Sequence, residues 1–175
     1  MGLPGSGKST VGRQLARKLS ASFLDSDHLI EQRLGCSIRE YFEREGEHAF
    51  RDVEETVLSE TVAASNVQRS STVLATGGGA VIRENNRSLL HSAGKVIYLR
   101  SSPEELYKRL RHDRNRPLLQ GVDPMQRLKD LYAQRDPLYS QTAHFQVETG
   151  RPSVMTLVNM ISMQLDLAGY QPPKS

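Results

Sequence analysis

Residues 2–9 read Gly2-Leu3-Pro4-Gly5-Ser6-Gly7-Lys8-Ser9, a full match to the phosphate-loop pattern G-x-x-x-x-G-K-[ST]. The pattern constrains more than a loop. It asks for a strand before it, a helix after it, and glycines between them that let successive N–H groups turn inward onto a polyphosphate. In that setting Lys8 reaches the β- and γ-phosphates and the Ser9 hydroxyl ligates Mg²⁺. The amino end of the following helix adds a favourable field for anions. The helix is legible in Val11, Leu15 and Leu19, which recur on one face. The strand is not: only Met1 precedes Gly2.

The rest of the chain alternates short apolar runs with amphipathic segments, the pattern of βαβ units around a parallel sheet. Strands are expected at Ala21–Leu24, Thr72–Ala75, Val96–Leu99 and His144–Val147. Helices are expected at Ser9–Leu19, His28–Leu34, Ile38–Glu45, Glu47–Ala64, Glu84–His91 and Pro103–Arg111, then at Pro124–Arg135 and Ser153–Leu167. No linker or repeat divides the chain, so residues 1–175 read as one domain. A net charge of +3 is too small to argue for a nucleic-acid partner. The single cysteine, Cys36, excludes an internal disulfide and fits a reducing cytosol. No segment has the length and apolarity of a membrane span, so a cytoplasmic location is expected. The charged stretch His112–Asp123, which carries Arg114 and Arg116, reads as a solvated loop or, beside a phosphate site, as a mobile lid.

A phosphate loop indicates a nucleotide and leaves the reaction open. In such folds an apolar strand ending in Asp commonly steadies Mg²⁺. Thr72–Ala75 ends instead in Thr76-Gly77-Gly78-Gly79, and Val96–Leu99 ends in Arg100. Only Phe23-Leu24-Asp25-Ser26-Asp27 closes an apolar run on carboxylates, and two residues apart they point the same way along extended chain. One could hold a water of the Mg²⁺ shell while the other faces an acceptor; alternatively Asp27 caps a helix beginning at His28. At the carboxyl end of a strand, Gly77–Gly79 would let a substrate lie directly on backbone N–H groups. Arg51 borders the apolar face of its helix, where it could pair with Glu55, and Arg135 ends a helix before Asp136-Pro137. If these two arginines converge, they suit a substrate carboxylate, gripped by paired hydrogen bonds.

Taken in order, residues 2–10, Asp25-x-Asp27, Phe50-Arg51, Gly77-Gly78-Gly79, Arg116-Pro117-Leu118-Leu119 and Arg135-Asp136-Pro137-Leu138-Tyr139 closely resemble shikimate kinase over essentially the whole chain. The resemblance implies ATP-dependent phosphorylation of the shikimate 3-hydroxyl by a monomer that uses one Mg²⁺. It implies that Gly5, Ser6, Gly7, Lys8, Ser9 and Thr10 hold ATP phosphates, that Ser9 ligates the metal, and that Asp25 acts on it through water. Asp27 would bind the reacting hydroxyl and take its proton. Arg51, Gly77, Gly78, Gly79 and Arg135 would hold shikimate, and Arg116 would close over the phosphates beside Lys8. Arg109 and the Arg151-Pro152 turn resemble adenine-clasping positions. Another small-molecule kinase, acting on gluconate or a nucleoside monophosphate, and a non-catalytic ATP-sensing domain are the alternatives.

The implied fold is α/β: a P-loop kinase-like, doubly wound parallel sheet of order 2-3-1-4-5, with helices on both faces and a lid. Its central first strand is the one absent here. A strand paired on both edges and buried on both faces is costly to lose. The expectation is therefore a translated chain that begins upstream of Met1.

Overall fold

A computed structural model describes residues 1–68, 71–111 and 123–170. Its elements in chain order are α1 (Lys8–Lys18), β1 (Ser22–Asp25), α2 (Ser26–Leu34), α3 (Ile38–Gln68), β2 (Thr72–Ala75), α4 (Glu84–Ala93), β3 (Ile97–Arg100), α5 (Pro103–Leu110), α6 (Pro124–Thr142), β4 (Phe145–Glu148) and α7 (Val154–Leu167). The alternating pattern expected from the sequence is present. Three strands lie one residue later than expected, which brings Asp25, Arg100 and Glu148 inside them.

All pairing is parallel and falls into two pairs. β1 runs beside β2, with Ser22 opposite Thr72 and Asp25 opposite Ala75. β3 runs beside β4, with Ile97 opposite Phe145 and Arg100 opposite Glu148. Among the described residues no ladder joins β2 to β3. Between them lies a cleft of about 510 Å³, lined by Val73, Ala75, Ile97, Leu99, Leu15 and Ile161 among others. This is where the expected central strand would run. Among the described residues Met1 bonds there in strand fashion: its amine donates to the Ile97 carbonyl (2.7 Å) and its own carbonyl accepts from Leu99 N–H (2.9 Å). Burial, and then the nearby Lys8 charge, lowers that amine to about 5.

Alternation along β3 assigns the layers. Leu99 joins Val11, Leu15, Val147, Val158 and Ile161, so α1 and α7 cover one face. Tyr98 joins Leu106, Leu110, Leu128, Leu131 and Tyr139, so α5 and α6 cover the other. A separate cluster of Ile30, Phe50 and Val57 binds α2 to α3.

Local chemistry sets several helix ends. Ser102 and Glu105 form a reciprocal capping box on α5, with Pro103 in the first turn, and Ser153 caps α7. The two helices expected on either side of Gly46 form α3, which breaks where Gly46 takes φ 82°. Helix α6 departs furthest from expectation. It passes through Pro137 and ends at Thr142, so Arg135 lies within it. Among the described residues no helix is long and apolar enough to cross a membrane.

Candidate active site

The phosphate loop leads into α1 as its pattern requires. Gly5 (φ 84°) and Gly7 (φ 90°) occupy the left-handed region that side-chain-bearing residues avoid, and Gly7 is the residue preceding the helix. Ser6 N–H donates to the Leu3 carbonyl (3.1 Å), which also accepts from Lys8 Nζ (3.0 Å). Among the described residues the buried Ser6 hydroxyl has no hydrogen-bond partner. No acidic residue of α1 itself stands in its first turn, whose amino end favours an anion. Thr10 is exposed on that turn.

Ser9 Oγ donates to Asp25 Oδ2 (2.6 Å), joining the loop to the end of β1. Asp25 Oδ1 accepts from Asp27 N–H (3.1 Å), which makes Asp25 the cap of α2. The capping alternative for Asp27 is thereby overturned: the helix starts at Ser26, and the upstream carboxylate caps it. Asp27 is left beside Gly77 and the Lys8 charge. It is open to solvent on one side and hemmed in by protein elsewhere. Burial, reinforced by the Asp25 charge, raises its carboxyl to about 6 against the opposing pull of Lys8. A carboxylate with that pKa is suited to taking a proton near neutrality.

In the glycine triplet, a side chain at Gly77 or Gly79 would have to displace the polar groups around it. A Cβ on Gly77 would run into the Asp27 carboxylate and come within 3.2 Å of Glu54 Oε1, while one on Gly79 would strike the Arg51 guanidinium. Gly77 N–H donates to the buried Ser26 hydroxyl (2.9 Å), tying the turn to the start of α2.

Arg51 is 8% exposed and Glu54 only 1%. Arg51 Nη1 donates to Glu54 Oε2 (2.6 Å), and its Nε and Nη2 donate to Glu47 Oε1 (3.3 and 3.2 Å). The expected Arg51–Glu55 pair is not formed; Glu55 pairs with Arg83 (2.7 Å). The rings of Phe50 and Phe42 stand 5.2 and 5.9 Å from the Arg51 guanidinium carbon. Burial raises the Glu54 carboxyl, with Arg51 acting against that rise.

From α6, Arg135 Nη1 donates to the Gly78 carbonyl (3.1 Å), and Tyr139 Oη donates to the same oxygen (2.5 Å). Arg135 Nε is buried without a partner among the described residues. Arg109 bridges the Gly5 carbonyl (3.5 Å) and Thr149, at Oγ1 (3.3 Å) and at the carbonyl oxygen (2.5 Å). Arg151 and Pro152 form the bend between β4 and α7, where Arg151 is exposed. Arg116 and the lid expected at 112–123 lie outside the described residues, apart from Asp123, which caps α6.

Asp27, Arg51, Gly77–Gly79 and Arg135 thus converge, with Ser9 and Asp25 on the adjoining wall. Glu54 and Tyr139 belong to the same cluster, and sequence reasoning passed over them. Their signal was available: Glu54 follows Arg51 by three residues and Tyr139 follows Arg135 by four, spacings that share a helix face.

The description of the shikimate kinase family matches residues 4–165 of the chain. The chain belongs to the shikimate kinase family. Among shikimate kinases, that of Paracidovorax citrulli is 57% identical over 174 residues, covering 99% of this chain and 93% of that protein. The shikimate kinase of Burkholderia thailandensis is 55% identical and covers 97% and 89%. Among solved structures, a shikimate kinase from Acinetobacter baumannii in complex with shikimate superposes with a TM-score of 0.86 at 45% identity, covering 96% of this chain and 90% of that one. The shikimate kinase of Bacteroides thetaiotaomicron gives 0.85 at 30% identity. The doubly wound P-loop kinase fold expected from the sequence is the fold these structures share.

Proposed function

We infer that this chain transfers the γ-phosphoryl group of ATP to the 3-hydroxyl of shikimate across the space between the phosphate loop and the glycine turn. The observation that carries the assignment of roles is the convergence of a raised carboxyl, Asp27, with two arginines from separate helices around Gly77–Gly79.

Phosphoryl transfer asks a protein mainly to align the reactants and to neutralise charge. Arg51 and Arg135 would hold the acceptor carboxylate. Arg51 is fixed by Glu54 and Glu47, and Arg135 Nε, unpartnered among the described residues, is a donor awaiting an acceptor. Asp27 would accept the hydroxyl proton as the phosphorus–oxygen bond forms and ADP leaves. Residues 5–10 would cradle the phosphates, with the Lys8 ammonium exchanging the Leu3 carbonyl for a phosphate oxygen. Arg109, Arg151 and Pro152 would flank the adenine, and Arg116 would reach the phosphates from 112–123.

A hydroxyl and a carboxylate oxygen 2.6 Å apart are hard donors of the kind Mg²⁺ takes, so Ser9 and, through water, Asp25 fit that ion. When bound, the ion would neutralise phosphate charge. The reading includes a monomer, as the resemblance implies, and a cytoplasmic protein with no nucleic-acid or membrane partner, as its charge, single cysteine and hydropathy suggest.

The test is ADP release by the purified chain with shikimate, gluconate or a nucleoside monophosphate, together with the mass of the product. Turnover with shikimate alone is expected. Turnover with gluconate or a nucleotide instead would replace the assignment, and nucleotide binding without turnover on any acceptor would point to a sensor.

A further inference from the structure

Helix α6 presents Arg135 from a place where a helix is intrinsically weak. Pro137, two residues on, has no N–H for the Ala133 carbonyl, and its ring crowds that carbonyl. Nothing local explains why the helix runs unbroken to Thr142. The explanation lies on the side of the helix turned toward β3.

The Asp136 carboxylate is 16% exposed and takes three hydrogen bonds from β3. Tyr98 Oη donates to Oδ1 (2.8 Å), Arg100 Nε donates to Oδ1 (2.9 Å), and Arg100 Nη2 donates to Oδ2 (3.1 Å). The last two form a fork, the geometry that fixes orientation as well as distance. Tyr98 is also stacked on Tyr139, with ring centroids 4.8 Å apart, and Tyr139 Oη donates to the Gly78 carbonyl that Arg135 also reaches. A continuous set of contacts therefore runs from β3 through Asp136 and Tyr139 to the Arg135–Gly78 contact.

We propose that Asp136 is a positioning residue for the acceptor site: held by Arg100 and Tyr98, it anchors the proline-weakened turn of α6 to the sheet and so aims Arg135 at the glycine turn. The proposal rests on the reading that Arg135 holds shikimate. It concerns a residue that would touch neither reactant, and it predicts an effect confined to one of them.

The experiment is steady-state kinetics of Asp136→Asn and Asp136→Ala, each alone and combined with Arg135→Ala, with thermal melts of every variant. Asp136→Asn keeps the shape and loses the charged fork, which guards against an alanine variant that does not fold. The expected result is a shikimate KM raised on the order of tenfold, with the ATP KM and kcat changed by less than about twofold. In the Arg135→Ala background the same change should add nothing to the shikimate KM. Arg100→Lys, which keeps the charge without the fork, should fall between wild type and Asp136→Asn. Equal rises in the two KM values, or a penalty that adds fully to that of Arg135→Ala, would overturn the proposal in favour of a general structural role. A shikimate KM unmoved by Arg135→Ala would instead overturn the parent reading, and the proposal with it.

Discussion

On the acceptor side of the site, Arg51 is fixed by two carboxylates and flanked by two aromatic rings, and Gly78 is bonded from α6 by both Arg135 and Tyr139. On the phosphate side, Lys8 donates to a carbonyl of its own loop, and among the described residues the buried Ser6 hydroxyl has no partner. The Arg51 part of the acceptor wall is organised by protein groups, whereas Arg135 Nε, like the Ser6 hydroxyl, is buried without a partner among the described residues. In the phosphate loop the unsatisfied group lies within the loop itself, an arrangement that an anion would relieve. The difference teaches which residues should carry stability and which should carry ligand response.

The largest expected effect tests the junction of the two walls. Asp27→Asn should lower kcat by about 10²–10⁴-fold with ATP affinity nearly unchanged. In the wild type, kcat should fall as pH drops through about 6, because the proton acceptor is lost as Asp27 protonates. The stability effect has the opposite sign. A carboxyl raised in the folded state favours folding below its unfolded value, and that contribution is lost as pH rises through the folded value. Asp27→Asn should therefore raise Tm above about pH 6 and leave it unmoved below the ordinary carboxylate range. A variant with wild-type kcat removes Asp27 from the chemistry.

The next effect separates the walls. Glu54→Ala strips a buried arginine of its closest carboxylate and should cost about 3 kcal/mol in denaturant melts without ligand. Nucleotide binding by the folded fraction should not change. A loss below about 1 kcal/mol would mean that Glu47 alone secures Arg51, and the contrast between the walls would fail.

The smallest effect sharpens it. Ser6→Ala removes a hydroxyl unsatisfied among the described residues, so the ligand-free protein should change by less than about 1 kcal/mol, toward greater stability. The Tm gain on adding ATP should shrink if that hydroxyl turns to the phosphates. An unchanged ATP-induced gain would show that Ser6 serves the loop and not the ligand.

The sequence was most legible where one short-range rule decides the outcome. Thr72–Ala75 is a strand at the expected residues, Gly46 divides α3, and the phosphate loop opens α1. It misled where tertiary contacts override such a rule. Pro137 argues for a helix end at Arg135, yet Asp136 and Tyr139 bond to groups far away in sequence and carry α6 onward. Asp27 and Asp25 are equally good caps by type, and the position of Ser9 against Asp25 accompanies the selection of the upstream one. In the same way, Arg51 chose Glu54 over Glu55 because Arg83 occupies Glu55, a partner invisible to helical spacing alone. The residues that meet at the glycine turn were legible as a set; the carboxylates and tyrosines that hold them in place were not.

The β1–β2 pair and the β3–β4 pair are each a unit that amide exchange can follow. Helix α1 packs against both β2 and α7. The element that carries the phosphate loop is therefore also a splint across the two units, and nucleotide at its amino end should slow exchange in both.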